Sequence, residues 1–67
     1  MHKITVNAVA HQVEPGTTLT ELLERLALAG KRVAVEHNGQ IVPKSAHGST
    51  TIRHGDQFEI VAAVGGG

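Results

Sequence analysis

Few groups in this sequence can do chemistry, and the strongest candidate is the main-chain carboxylate of Gly67, which ends the run Val64-Gly65-Gly66-Gly67. A carboxylate is a poor electrophile because its charge is delocalised, so acyl chemistry there requires a better leaving group. The chain has no Walker-type phosphate loop and no glycine-rich dinucleotide fingerprint ahead of a helix to bring a nucleotide to it. Activation therefore falls to a partner. Glycines suit a terminus that must enter a partner's active site. They carry no side chain to obstruct a narrow channel, and they reach almost any φ/ψ. Ordering them costs about 1–2 kcal/mol of backbone entropy per residue. The absence of cysteine means that no internal thiolate can attack an activated terminus. The competing reading of the three glycines is a frayed end or a cloning remnant.

The side chains offer weaker candidates. Histidines stand at positions 2, 11, 37, 47 and 54. None has the i, i+4 spacing of a helical ligand pair and no cysteine supports them, so His2, His11, His37, His47 and His54 read as exposed or turn residues and no metal site is expected. Asp56 and Glu59 near His54 can be drawn as an acid–base set, but Gly55-Asp56 has an obvious turn role. Lys31 and Arg32 read as helix-end charges, with partner docking as the alternative. Phe58 is the one aromatic residue, so the core must be aliphatic and a base-stacking platform is not expected.

Composition narrows the classes further. Six basic and six acidic side chains cancel, giving no basic excess for nucleic acid or an anionic membrane. Without cysteine there is no disulfide framework. Met1 to Asn7 contains no apolar signal-like core, and no later run approaches the roughly 20 residues of a membrane span. A cytoplasmic protein is expected. At 67 residues the chain is one domain, read as 1–64 with a flexible glycine tail at 65–67.

The elements that must position the tail follow from periodicity. Ile4 and Val6 alternate with Lys3 and Thr5, the period of a half-buried strand over His2 to Asn7. Asn7-Ala8 turns the chain, and Val9 to Glu14 resumes the alternation with Val9, His11 and Val13 on one face. Pro15-Gly16 stops it. Thr18 and Glu21 have capping-box spacing. Leu19, Leu22, Leu23 and Leu26 form one apolar helical stripe, read as core, with Gly30 as the residue past the helix end. Val33 to His37 is a strand, Asn38-Gly39 a hairpin turn, and Gln40 to Val42 a short strand ended by Pro43. Lys44 to Arg53 is polar and weakly patterned, a loop with room for one helical turn. After the His54-Gly55-Asp56 turn, Gln57 to Val64 is the last strand. The order predicts an α+β fold. In it a mixed four- to five-stranded sheet packs on one helix, with the last strand parallel to the first in the middle. That is the β-grasp arrangement. The expected shared core is Ile4, Val6, Leu22, Leu23, Leu26, Val33, Val35, Phe58 and Ile60.

Taken together, "PGTTLTELLERL", "VAVEHNGQIVPKS" and "HGDQFEIVAAVGGG" resemble the ThiS family of ubiquitin-like sulfur carriers over essentially the whole chain. Two departures are Asn7-Ala8, where Asn-Gly is commoner, and a third terminal glycine. The resemblance implies that the chain is a protein cosubstrate of thiamine biosynthesis, not an enzyme. An E1-like, ThiF-like adenylyltransferase would use ATP and magnesium to adenylate Gly67, with no cofactor bound by the carrier itself. Sulfur from a cysteine desulfurase or sulfurtransferase would then give a C-terminal thiocarboxylate, and a ThiG-like thiazole synthase would use it for the thiazole ring. Gly65 and Gly66 would serve insertion of the tail. Because one helix covers one face of a sheet, Val61 and Ala63 on the other face are the expected docking residues. Two readings remain beside this one: a MoaD-like carrier for molybdopterin, and a ubiquitin-like binding or modifier module.

Overall fold

The computed structural model describes residues 1–62. Its elements are β1 (His2–Val6), β2 (Val9–Val13), α1 (Leu19–Arg25), β3 (Val33–His37), β4 (Gln40–Val42), a 3-10 turn (Lys44–Ser49) and β5 (Gln57–Ala62). The strands form one sheet in the order β2-β1-β5-β3-β4. β5 runs parallel to β1 and antiparallel to β3, with Val6 opposite Phe58 and Val35 opposite Ile60. This is the β-grasp arrangement expected from the sequence, with five strands. The expected continuation of the last strand to Val64 and the 65–67 tail lie outside the described residues.

Two asparagine turns set the hairpins. Asn7 and Ala8 have φ of 50° and 69°, and Asn38 and Gly39 have φ of 51° and 88°. Positive φ at both central residues is what a two-residue type I′ loop requires, and its twist matches that of the flanking strands. The helix begins as its capping box predicts: the Glu21 N–H donates to Thr18 Oγ1 at 3.3 Å, and the Thr18 N–H donates to Glu21 Oε1 at 2.9 Å.

The helix ends earlier than the leucine pattern suggested. Leu26 is its C-cap and Ala27 follows with φ 60°. The Leu28 N–H donates to the Leu23 carbonyl at 2.8 Å and the Ala27 N–H to the Glu24 carbonyl at 3.1 Å. These two bonds make a Schellman ending, in which a left-handed residue satisfies the last carbonyls. Here that residue is Ala27, not Gly30. Gly30, at φ 81°, belongs to the following turn.

The core comprises Ile4, Val6, Val13, Leu19, Leu22, Leu23, Val35, Ile52, Phe58 and Ile60. Leu26 and Val33, expected inside, pack against it only partly buried. Leu26 sits where the helix stops, and Val33 pairs with Ala62 at the end of the described sheet. Ile52, in the polar stretch, is fully buried. Its N–H donates to the Thr17 carbonyl, and a bridge between Thr18 and Thr51 straps this segment to the helix start.

Candidate functional site

The geometry that matters for a C-terminal tail is how firmly its root is held. β5 is the central strand, flanked by β1 and β3. Its pairing with β1 extends only over Gln57 and Phe58, because β1 turns away at Asn7. The open edge is closed by Asn7. Its N–H donates to the Phe58 carbonyl at 2.9 Å. Its side chain then replaces the missing strand: Oδ1 accepts from the Ile60 N–H at 2.8 Å and Nδ2 donates to the Ile60 carbonyl at 3.0 Å.

Asn38 holds the beginning of the same strand. Its N–H donates to the Gln57 carbonyl at 2.8 Å, and its Oδ1 accepts from the Gln57 N–H at 2.8 Å. Its Nδ2 also donates to Asp56 Oδ1 at 3.2 Å. Asp56 is buried. Its other oxygen accepts from the Arg53 N–H at 2.8 Å and lies 2.9 Å from His37 Nε2. Burial alone would raise the Asp56 pKa. The hydrogen bonds from the Arg53 N–H, Asn38 and His37, together with the His37 charge when protonated, outweigh it and hold the carboxyl below its ordinary value. The His37 ring stacks on Phe58, with centroids 4.8 Å apart and planes 11° apart. Asp56 therefore does hold the turn, as one of its two sequence readings had it. Its histidine partner is His37. His54 instead accepts from the Lys3 N–H at Nδ1.

His47 holds structure too. It is buried in the 3-10 turn with Nε2 3.2 Å from the Val42 carbonyl. Of the reading as an exposed or turn residue, the turn holds for His47, while its ring is buried there. His2 meets His54 edge-on at 6.1 Å. Among the described residues no three His, Asp or Glu side chains gather as a metal site.

On the sheet face away from the helix, Val61 is 60% exposed and lies opposite Ala34. In the neighbouring row Ile41, 65% exposed, pairs with Glu36, which pairs with Glu59. Val61 thus stands where docking was expected, and Ile41 joins it as a second apolar side chain that the sequence did not single out. A three-residue strand is too short to show a period. Ala63 and the tail residues Gly65, Gly66 and Gly67 lie outside the described residues.

A fold this common needs sequence to identify it. The ThiS family model matches residues 4–67. The crystal structure of the thiamine biosynthesis protein ThiS from Geobacter metallireducens superimposes with a TM-score of 0.83 at 35% identity, covering 97% of this chain and 99% of that one. The solution structure of a thiamine biosynthesis protein from the same organism gives 0.75 at 35% identity, covering 97% and 87%. Two proteins named thiazole synthase are also similar over 65 residues: that of Magnetococcus marinus at 42% identity and that of Paramagnetospirillum magneticum at 38%. Each alignment covers 97% of this chain and 20% of the relative, so the chain spans about a fifth of the length of these curated relatives. No helix among the described residues is long and apolar enough to cross a membrane. Because the family match begins at Ile4, the first core residue of β1, and runs through all three terminal glycines, the chain belongs to the ThiS family.

Proposed function

We propose that this chain is a sulfur carrier for thiazole formation in thiamine biosynthesis and that its working group is the Gly67 carboxylate. The observation that carries the reading is the family match extending through Gly67. The chain acts as a cosubstrate. A carboxylate oxygen of Gly67 attacks the α-phosphorus of ATP on an E1-like adenylyltransferase, and magnesium pyrophosphate leaves. A persulfide sulfur then attacks the acyl carbon and AMP leaves, giving an acyl disulfide. A thiol takes up the outer sulfur as a new disulfide and releases the thiocarboxylate. That group is ionised at neutral pH and is a soft nucleophile, ready to give its sulfur to a thiazole synthase.

The described residues support a carrier built this way. Asn7 and Asn38 hold β5, the last described strand, by three side-chain bonds to its backbone. The likeness to two proteins named thiazole synthase, of which a matching segment is a fifth, supports thiazole synthase as the consumer of the sulfur. Val61 and Ile41 offer an apolar docking face on the same sheet. The test is intact mass after incubation with ATP, magnesium, a ThiF-like enzyme and a persulfide donor. A carrier gains the mass of one O-to-S exchange. A modifier becomes joined to a lysine, and an inert module does not change; either result would reject the reading.

A further inference from the structure

The carrier reading uses one face of the sheet and leaves a second surface unexplained. Between the helix end and β3 lies a pocket of about 350 Å³. Leu23, Leu28 and Val33 form its apolar floor, and Lys31, Arg32 and Lys44 stand around it. These are half of the chain's six lysines and arginines. No Asp or Glu lines the pocket, and among the described residues none of the three cations makes an ion pair. The helix stops early, and the Schellman bond from the Leu28 N–H to the Leu23 carbonyl turns the chain back so that Leu28 packs partly buried against the core. The pocket also adjoins the end of described β5, since Val33 pairs with Ala62, the last described residue.

We propose that this pocket receives an acidic, apolar-tipped segment of the enzyme that activates Gly67, a proposal that rests on the carrier reading. Three cations with no ion-pair partner among the described residues select carboxylates, and the aliphatic floor selects an apolar side chain beside them. A tail inserted in extended form carries the Gly67 carboxylate about 16–18 Å beyond Ala62. The pocket therefore faces partner protein and not the reacting nucleotide. Its charges set affinity and encounter rate and leave the chemical step alone.

The test compares carrier-dependent ATP–pyrophosphate exchange by a ThiF-like enzyme for the wild type, K31E/R32E, K31Q/R32Q and the control K3E/R53E, whose altered side chains lie outside the pocket. Reversal in the pocket should raise the KM for the carrier at least about tenfold, with kcat within about twofold, the neutral pair should fall between, and the control should change little. The difference should shrink as salt is added. An unchanged KM, or a fall in kcat at constant KM, would overturn the docking site while exchange by the wild type keeps the carrier reading intact. An NMR titration in which inorganic pyrophosphate alone shifts the Lys31 and Arg32 amides would make the pocket a small-anion site and overturn the proposal too. A wild type that supports no exchange would overturn both readings.

Discussion

The side-chain amide of Asn7 satisfies both backbone groups of Ile60, accepting its N–H at 2.8 Å and donating to its carbonyl at 3.0 Å. One residue thus ends the first hairpin strand and stands in for the missing strand beside β5. Asn7→Gly keeps the positive φ without strain and removes the clamp, with a smaller loss from the added freedom of the unfolded chain. It should cost about 1–2 kcal/mol in denaturant titration, the worth of two partly buried hydrogen bonds. The Ile60 amide should also exchange faster with solvent. Unchanged stability with unchanged Ile60 protection would show that the clamp holds nothing.

Ala27 carries a left-handed backbone, φ 60°, at the helix end. For a residue with a Cβ this costs about 1–2 kcal/mol. Glycine removes that strain but gains entropy in the unfolded chain, so Ala27→Gly should stabilise the domain by about 0.5–1 kcal/mol. A loss of stability on thermal or chemical unfolding would contradict the assigned ending.

Asp56 links folding to acid. Its carboxyl is held below the ordinary value in the folded chain, so the unfolded state binds the proton more readily. The stabilisation is complete above the unfolded aspartate value of about 3.9 and is lost as pH falls through the lower folded value. Asp56→Asn should therefore be less stable than the wild type at neutral pH. The gap should narrow as the wild type loses stability in acid. A constant gap from pH 7 to pH 2 would rule out this linkage.

Much of this was legible in the sequence because local and long-range patterns agree. The capping box, the two asparagine turns and the alternation of Phe58 and Ile60 all name their elements correctly. What escaped depends on contacts between distant segments. Ile52 sits among polar residues with no period, and only its bond to Thr17 and the Thr18–Thr51 bridge bring it into the core. Leu26 fits the helical stripe, but a helix end is decided by the backbone of Ala27, which no side-chain pattern announces. The Asn7 clamp joins residues 53 apart in sequence. A turn asparagine signals its own positive φ and is silent about the strand its amide will meet. The same holds for His37 and Asp56: the sequence put His54 beside Asp56, whereas pairing of β3 with β5 brings His37 there.

Val61 is exposed on the face opposite the helix, with Ile41 in the next row. If that face docks partner enzymes, Val61→Asp should weaken binding to the adenylyltransferase and to thiazole synthase at least about tenfold, as loss of an apolar anchor does. Its thermal unfolding should stay close to that of the wild type. Unchanged binding, or a domain that simply unfolds, would remove Val61 from the docking surface.

The central claim is that Gly67 carries the sulfur at the end of a side-chain-free tail. The most direct measurement is thiocarboxylate yield by intact mass, with thermal unfolding recorded on the same samples. The wild type should show the O-to-S exchange. Deleting Gly67 draws the carboxylate back by about 3.3–3.6 Å, and since a misplacement near 1 Å can cost about 100-fold in rate, yield should collapse. Gly66→Val should fail through bulk and restricted φ/ψ. All variants should melt with the wild type, because residues 66 and 67 follow every residue of the described core in sequence. Full thiocarboxylate yield on a chain lacking both Gly66 and Gly67 would contradict the account.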